Sequence, residues 1–261
     1  MIGDQLQGAV LEARAITVRF GGFLALQEAS LVAEPGQVTS LIGPNGAGKT
    51  TLFHAISGIL TPQHGETLLD GRSLRGMSPD KRARAGMART FQILELFSGL
   101  SVAENLQVAV EGRSSNRMWR DLFSLRHPDD PAVIRKVHEA MDLVGISDLA
   151  DRPAGSLPTG LSRLVELARA LCTDPKVLLL DEPASGLSGP ETDRLHAVLT
   201  SLADLGLTIL LVEHDIELVM ALSKRIYVLD FGAMIADGTP DEVRASPAVR
   251  AAYLGTESVE V

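Results

Sequence analysis

Runs of apolar residues that are too short for helices predict buried strands at three places in the chain. Val38–Ile42, Val177–Leu180 and Thr208–Val212 are rich in aliphatic residues, which is typical of strands covered on both faces of a parallel sheet. Apolar residues at helical spacing follow the first run, at Leu52, Phe53, Ile56 and Ile59. Buried strands that alternate with amphipathic helices predict an α/β fold.

Turn and cap signals divide the rest of the chain. Ala15–Phe20 is a strand-like run stopped by Gly21-Gly22, and residues 65–72 contain the Asp-Gly pair of a tight hairpin turn. In a capping box, a hydroxyl residue is followed three positions later by glutamate, and the two side chains bond the first turn of a helix. Such boxes predict helix starts at Ser101, Ser188 and Thr239.

The stretch Gly43–Thr50 carries the strongest chemical signal. It reads Gly-Pro-Asn-Gly-Ala-Gly-Lys-Thr and matches the phosphate-loop pattern G-x-x-x-x-G-K-[ST] at every fixed position, between a predicted strand and a predicted helix. Glycines let backbone N–H groups turn inward around an anion, and the helix points its positive end at the same place. Lys49 would reach the β- and γ-phosphates, and the Thr50 hydroxyl would ligate Mg²⁺. The candidate nucleotide-binding residues of this stretch are Gly43, Asn45, Gly46, Ala47, Gly48, Lys49, Thr50 and Thr51.

Acidic residues follow the second predicted strand. Asp181 and Glu182 come directly after Val177–Leu180, and open α/β sheets bind ligands at the carboxyl ends of their strands. Asp181 can hold Mg²⁺ through water, and Glu182 can polarise the water that attacks the γ-phosphate. His214 follows the third strand on the same predicted sheet edge, where it could contact the γ-phosphate.

Composition narrows the class of partner. The 261 residues carry a net charge of −9, which argues against nucleic acid as the main partner. The one cysteine, Cys172, excludes an internal disulfide framework, suits a reducing cytoplasm, and is expected to be a buried thiol. No apolar run approaches the roughly 20 residues of a membrane span, and the N-terminus lacks the pattern of a signal peptide.

Two further segments receive less specific predictions. Residues 72–89 are locally basic, and the expected reason is a solvated helix face, with a docking surface as the alternative; the residues are Arg72, Arg75, Lys81, Arg82, Arg84 and Arg89. Residues 112–131 are polar and interrupted by prolines, so a loosely ordered connection is expected there.

Taken in order, these motifs resemble those of the ATP-binding cassette (ABC) ATPases over nearly the whole chain. The order is Phe20 before a glycine pair, the phosphate loop, Gln92, a Leu-x-x-Gly segment at 157–160, the apolar-Asp-Glu stretch and His214. Five segments are similar to the ATP-binding subunits of branched-chain amino acid importers, at residues 19–22, 89–92, 96–97 together with 101–106, 228–232 and 252–255. Related subunits serve amide and urea importers, which remain the alternative.

The resemblance implies an architecture. The chain would be a single ABC ATP-binding domain with an α/β, RecA-like core of the P-loop NTPase type at about 9–90 and 172–254. An antiparallel β subdomain would lie at the N-terminus, a helical subdomain at about 91–171 and a short tail at 255–261. The protein would sit peripherally on the cytoplasmic face of the membrane, against transmembrane permease subunits and a second ATP-binding subunit.

The resemblance also implies roles for individual residues. Phe20 would stack on adenine, and Gln92 would sense Mg²⁺ and the γ-phosphate and couple the site to the membrane subunits. Glu182 would be the general base and His214 a γ-phosphate contact. Two chains would pair head to tail around two ATP molecules, each completing the other's site with its signature segment.

The signature segment departs from the family pattern Leu-Ser-Gly-Gly-Gln. Here it reads Leu157-Pro158-Thr159-Gly160-Leu161, so only the leucine and the second glycine match. Pro158 lacks both the hydroxyl and the backbone N–H. We expect this segment to serve a partner's ATP site poorly, which favours a heterodimer with a paralogue over a homodimer. Ser188 stands where the family commonly has aspartate, and a charged contact across the dimer would be lost.

Two other functions are compatible with the motifs. One is a soluble ABC ATPase of translation or repair, but the tandem cassettes, coiled-coil inserts or basic faces of those proteins are not found in this sequence. The other is a regulatory module that closes on ATP without turnover. The carboxylate at Glu182 argues against it, because loss of that group is the usual route to an inactive site.

Overall fold

Two sheets form the framework of the molecule. The computed structural model describes residues 6–90, 96–112 and 130–254. The strands of the first sheet are β1 (Leu11–Phe20), β2 (Phe23–Ala33), β4 (His64–Leu69) and β5 (Arg72–Ser73). They are antiparallel, in the spatial order β2-β1-β4-β5, and the predicted hairpin joins β4 to β5 through Asp70-Gly71. This sheet is the expected N-terminal antiparallel subdomain.

The second sheet carries the three strands predicted to be buried. Its members are β3 (Val38–Ile42), β6 (Met87–Arg89), β7 (Val177–Asp181), β8 (Thr208–Val212), β9 (Arg225–Asp230) and β10 (Ala233–Gly238). The order is β10-β9-β3-β8-β7-β6, with β10 antiparallel to β9 and the other pairs parallel. Every residue of β3, β7 and β8 is buried. Because these neighbours are parallel, their carboxyl ends meet at one sheet edge.

The helices pack around these sheets. Their bounds are α1 (Lys49–Ser57), α2 (Pro79–Arg84), α3 (Val102–Gly112), α4 (Pro131–Val144), α5 (Thr159–Leu171), α6 (Gly189–Asp204), α7 (Ile216–Leu222), α8 (Pro240–Ala245) and α9 (Pro247–Leu254). Helices α3, α4 and α5 contact one another and share an apolar core with one face of the second sheet. Between the two sheets, α1 packs into a second core. No helix in the described ranges has the length and apolar character needed to cross a membrane.

The predicted capping boxes set where three of these helices begin. The Glu104 carboxylate accepts the Ser101 N–H at 2.7 Å, and the corresponding glutamates of α6 and α8 accept the N–H groups of Ser188 and Thr239, each at 2.8 Å. Each glutamate satisfies a donor that the helix itself leaves without a partner. All three predicted helix starts are confirmed.

Three residues differ from the expectation. Ile59 does not lie on the predicted helix face, because α1 ends at Ser57 and Gly58 turns the chain with φ 82°, which leaves Ile59 51% exposed. Two members of the basic region are not solvated. Arg82 is buried and donates to the carbonyls of the last turn of α1, and Arg89 pairs with a carboxylate. Most of the polar connection expected at 112–131 lies outside the described residues.

Candidate functional site

The phosphate loop connects the end of β3 to the start of α1. Gly43, Gly46 and Gly48 have φ values of 153°, 80° and 106°, in the region that favours glycine. At Gly43 the space is also closed, since an added Cβ would lie 2.0 Å from the Leu229 carbonyl oxygen. The loop therefore holds a conformation that exposes backbone N–H groups at the positive end of α1. Such a cradle fits a phosphate group.

Lys49 lies folded over this loop. Its ammonium group donates to the carbonyl oxygens of Gly43 at 2.7 Å and Pro44 at 2.9 Å, and the residue is 9% exposed. Burial lowers the pKa of Lys49, while the carboxylates of Glu182 and Asp181 act in the opposite direction. The charge is thus held at the mouth of the loop, where an anion could replace the carbonyl contacts.

The other predicted residues of the loop lie around Lys49. Asn45, Gly46 and Thr50 are exposed, Thr51 is half-buried in the first turn of α1, and Ala47 is packed in the core. The Ala47 carbonyl accepts the Gly232 N–H at 2.9 Å, which ties the loop to the turn between β9 and β10. The exposed positions face solvent, as a ligand site requires.

Asp181 is the last residue of β7 and is 7% exposed. Its Oδ2 accepts a hydrogen bond from Arg89 Nη2 at 3.2 Å. Burial raises the pKa of Asp181, and the Arg89 guanidinium opposes that shift. The ion pair therefore favours an ionised carboxylate at the sheet edge.

Glu182 and His214 meet at the carboxyl ends of β7 and β8. His214 Nδ1 lies 3.9 Å from Glu182 Oε1, so the two predicted residues are brought together without a direct hydrogen bond. The His214 side chain is 61% exposed and the Glu182 side chain 26%, so both are open to a ligand. Glu182 adopts φ 47°, a strained value for a non-glycine residue of the kind that concentrates at functional sites.

Glu213 is a residue of this site to which the sequence analysis gave no role. It is fully buried, and its two carboxylate oxygens accept the N–H groups of Ala184 at 2.9 Å and His214 at 3.1 Å. Burial raises the pKa of Glu213, against these two hydrogen bonds. The carboxylate thus connects the turn after Glu182 to the start of the loop that carries His214. An acid that directly follows a buried apolar strand is the signal that could have indicated it.

Phe20 ends β1 and is 52% exposed, so a face of its ring is available for the predicted stacking on adenine. Gln92 lies outside the described residues. The described strand β6 ends at Arg89, three positions earlier in the chain, and Arg89 pairs with Asp181 at this edge of the sheet.

The signature segment forms the start of α5. Pro158 and Thr159 are exposed, whereas Gly160 is buried. A Cβ at Gly160 would lie 2.2 Å from Glu191 Oε1, at the start of α6. The same carboxylate accepts the Ser188 N–H and hydroxyl at 2.8 and 2.7 Å. Hydrogen bonds from the Ser188 side chain and, further, from the backbones of Ser188 and Gly160 lower the pKa of Glu191. The start of α5 is therefore fixed by its contact with the start of α6 in the same chain.

The residues present fit Mg²⁺ as a companion of a nucleotide. In proteins Mg²⁺ takes one or two carboxylates or hydroxyls and completes its shell with water and substrate phosphates. Asp181 and Thr50 supply such a donor set beside the phosphate loop. Within the described ranges, no group of three or more histidine, cysteine or acidic side chains is placed to hold a metal alone. Water and the phosphates of a bound nucleotide would supply the remaining ligands.

A phosphate loop beside a buried acid and an adjacent glutamate, at one edge of a parallel sheet, defines a P-loop ATPase. Comparison with known families then specifies the kind. The family described as "ABC transporter" matches residues 26–185, and the family described as "Branched-chain amino acid ATP-binding cassette transporter" matches residues 233–259. The chain belongs to the ATP-binding cassette family of ABC transporters.

Individual relatives agree with this assignment. The high-affinity branched-chain amino acid transport ATP-binding protein BraF of Pseudomonas aeruginosa is 42% identical over 254 residues, covering 94% of this chain and 98% of BraF. LivG of Escherichia coli, which carries the same description, is 40% identical with the same coverage. A crystal structure of an ABC transporter cassette in its ADP conformation is 30% identical, with a TM-score of 0.84, covering 95% of this chain and 99% of that one. The predicted family and fold class are confirmed.

Proposed function

We propose that this chain is the ATP-hydrolysing subunit of a transporter that imports branched-chain amino acids. The observation that carries the hydrolytic part is the position of Glu182, a partly exposed carboxylate 3.9 Å from His214. The solute is inferred from the relatives, whose descriptions name branched-chain amino acid transport. The match at 233–259 supports the same inference.

The site residues divide the work of hydrolysis in this proposal. The loop N–H groups and Lys49 hold the phosphates, and Phe20 stacks on the adenine. Thr50, Asp181 and Gln92 hold Mg²⁺, which when bound neutralises charge on the phosphates. Glu182 orients and polarises the attacking water and takes its proton. His214 contacts the γ-phosphate and positions it against Glu182.

The permease subunits would contact a groove between the helical layer and the sheet. It has a volume of about 370 Å³, and its lining includes Ile59, Pro79, Ala109, Arg169 and Thr173. The groove combines apolar walls with charged groups of both signs, and its lining includes Arg89, three residues before Gln92. A cytoplasmic segment of a permease bound here would be close to the ATP site. The chain would then lie peripherally on the inner face of the membrane.

The second ATP-binding subunit is proposed to be a paralogue. Pro158 and Thr159 are exposed at the start of α5, where a partner's nucleotide would have to be contacted. Proline offers no N–H and no hydroxyl to a phosphate. A partner with an intact signature would complete this chain's own site, and the reverse site would be weak.

The test begins with the purified chain alone, as steady-state ATP hydrolysis over a range of protein concentrations. Glu182→Gln is the control, because it keeps the shape of the side chain and removes the base. Turnover that rises faster than concentration and is lost in the variant would show that self-pairing is productive, and would contradict the need for a paralogue. ATP binding without turnover would be expected if a partner must supply the signature.

The full assembly then tests the solute. The chain, its permeases and its paralogue are reconstituted in liposomes, and ATP-dependent uptake of leucine, isoleucine and valine is compared with that of urea and acetamide. Uptake of the three amino acids that is lost in Glu182→Gln supports the proposal. Uptake of urea or acetamide alone would overturn the solute, and uptake that persists in Glu182→Gln would indicate a regulatory rather than a hydrolytic role for this chain.

A further inference from the structure

Arg89 occupies a position between the helix of the phosphate loop and the acid of the proposed metal site. Its Nη2 donates to Asp181 Oδ2 at 3.2 Å, and its Nη1 donates to the Ser57 hydroxyl at 3.1 Å. The guanidinium also lies 4.7 Å from the centroid of the Phe53 ring. Arg89 therefore links two residues of α1 to the last residue of β7.

The contact with Asp181 is electrostatically demanding. The Arg89 side chain is 12% exposed and the Asp181 side chain 9%, so both charges have lost most of their contact with water. A buried carboxylate stays ionised only if a cation or several donors compensate it. The nearby ammonium of Lys49 is engaged with the carbonyls of Gly43 and Pro44. Among the described residues, Arg89 is the cation that donates a hydrogen bond to Asp181, while His54 attracts the same carboxylate without one.

We propose that Arg89 is a positioning residue that acts as the resident counter-ion of Asp181 until Mg²⁺ and nucleotide bind. Arg89 and Mg²⁺ then neutralise the same carboxylate, so each weakens the other's interaction with it. The inference rests on the proposed role of Asp181 as a Mg²⁺ ligand. It gives a function to a residue that lies three positions before Gln92 and outside the phosphate loop.

Because Arg89 and Mg²⁺ compete for the Asp181 carboxylate, the direction in which loss of Arg89 changes the Mg²⁺ requirement can be predicted. Without Arg89, Asp181 is a buried charge with its direct counter-ion missing, and the metal-free chain is destabilised. Mg²⁺ supplies the missing charge, so the nucleotide-bound chain is affected less. Loss of Arg89 should therefore lower the Mg²⁺ concentration needed for nucleotide binding. A residue that only orients Asp181 for the metal would have the opposite effect, because its loss would raise that concentration.

The experiment uses the full chain, a fluorescent ADP analogue and a Mg²⁺ titration. In Arg89→Gln we expect the half-saturating Mg²⁺ concentration to fall by about 5-fold, at the lower end of ordinary coupling between sites. Arg89→Lys, which keeps the charge, should stay close to the parent chain. An unchanged or increased half-saturating concentration in Arg89→Gln would overturn the inference.

Thermal unfolding provides a readout that does not depend on turnover. Arg89→Gln should unfold at a lower temperature in EDTA, and Mg²⁺ with ADP should remove most of the difference. Arg82→Gln is the matched control, because Arg82 is also buried but donates to backbone carbonyls of Ala55, Ile56 and Leu74. Its loss of stability should be the same with and without the metal and nucleotide. If both variants respond equally to Mg²⁺ and ADP, the counter-ion role is wrong.

Asp181→Asn separates this inference from the proposed function. If Asp181→Asn leaves the Mg²⁺ dependence of binding unchanged, the proposed metal role of Asp181 fails and the counter-ion inference fails with it. If Asp181→Asn weakens the Mg²⁺ dependence but Arg89→Gln does not shift it, only the counter-ion inference is overturned. In EDTA, the double variant should regain part of the stability lost in Arg89→Gln, because the uncompensated charge is absent.

Discussion

Substitution of Glu213 tests how the backbone around Glu182 and His214 is held in place. Its two oxygens accept the N–H groups of Ala184 and His214. One side chain therefore fixes both the backbone that follows Glu182 and the backbone of His214. Glu213→Gln keeps the size of the side chain and removes one acceptor. The amide –NH₂ group would then face one of the two N–H groups, and that N–H would be left without an acceptor in a site with no exposure to water.

The magnitude can be worked from these contacts. A hydrogen bond to a charged acceptor contributes about 1.5–3 kcal/mol. Loss of one acceptor should therefore destabilise the local backbone arrangement of Ala184 and His214 by about 2 kcal/mol. Removal of a fully buried charge offsets part of the global cost, because burial disfavours the ionised form. We expect global stability to change by about 1 kcal/mol or less. Turnover should fall by about 10- to 100-fold, since each 1.4 kcal/mol corresponds to a factor of ten in rate.

The assay is ATP turnover by the assembled transporter, together with nucleotide binding to the chain alone. Nucleotide binding should be unaffected in Glu213→Gln, because this carboxylate accepts hydrogen bonds from Ala184 and His214, which are not part of the phosphate loop. Glu242→Gln is the matched control, since Glu242 also accepts a backbone N–H, from Thr239, but belongs to a capping box far along the chain. Unchanged turnover in Glu213→Gln, or a change in ATP affinity alone, would refute the reasoning.

The same variant has a predicted pH signature. Burial raises the pKa of Glu213 above its ordinary value of 4.5, so the folded chain binds this proton more tightly than the unfolded chain does. The contribution of Glu213 to stability therefore decreases as the pH rises from 4.5 through the higher pKa of the folded state. Glu213→Gln should flatten the dependence of the free energy of unfolding on pH in that interval. An unchanged slope would contradict the assignment.

Three further substitutions or modifications have defined outcomes. Gly43→Ala places a Cβ 2.0 Å from the Leu229 carbonyl oxygen, so a fluorescent nucleotide should bind at least about 100-fold more weakly, as expected when a strained loop is displaced by a few kcal/mol. Gly160→Ala places a Cβ 2.2 Å from Glu191 Oε1, so that carboxylate must leave its capping box, and denaturant unfolding should show a loss of about 1 kcal/mol. Cys172 is fully buried and its pKa is raised to about 12, so mass spectrometry should find no maleimide adduct at pH 8 until the chain is unfolded.

Features set by a few neighbouring residues were predictable from the sequence. The phosphate loop needs its glycines because of local φ values, and the capping boxes bond groups three residues apart. The buried strands were recognisable because continuous aliphatic runs have no polar face to present to water. In each case the residues that determine the structure are close together in the chain, so the sequence pattern alone is enough to predict the local structure.

Charged residues whose partners are distant were not predictable in this way. Arg89 and Asp181 are 92 positions apart, and Arg82 reaches carbonyls 26 and 27 positions away. A cluster of arginines in a polar segment is ordinarily a solvated surface, whereas here Arg82 is buried against the last turn of α1 and Arg89 is largely covered between α1 and β7. Glu213 was missed for a related reason. It follows β8, whereas the N–H group of Ala184 that its carboxylate accepts lies after the end of β7.

The signature segment departs from the family pattern at two exposed positions and one half-buried position, and keeps the buried Gly160. Gly160 is retained, and a Cβ there would displace the Glu191 side chain from its contact with Ser188. Pro158 and Thr159 are exposed and depart from the family pattern, so nothing in the packing of this chain requires their identity. Leu161, the third departure, is half-buried and packs against the helical core, so only the changes at Pro158 and Thr159 bear on what α5 could donate to a nucleotide held by another chain. The changes at Pro158 and Thr159 are those expected if the site that this segment completes on a partner is weak, as proposed, while this chain's own site keeps Lys49 and Glu182.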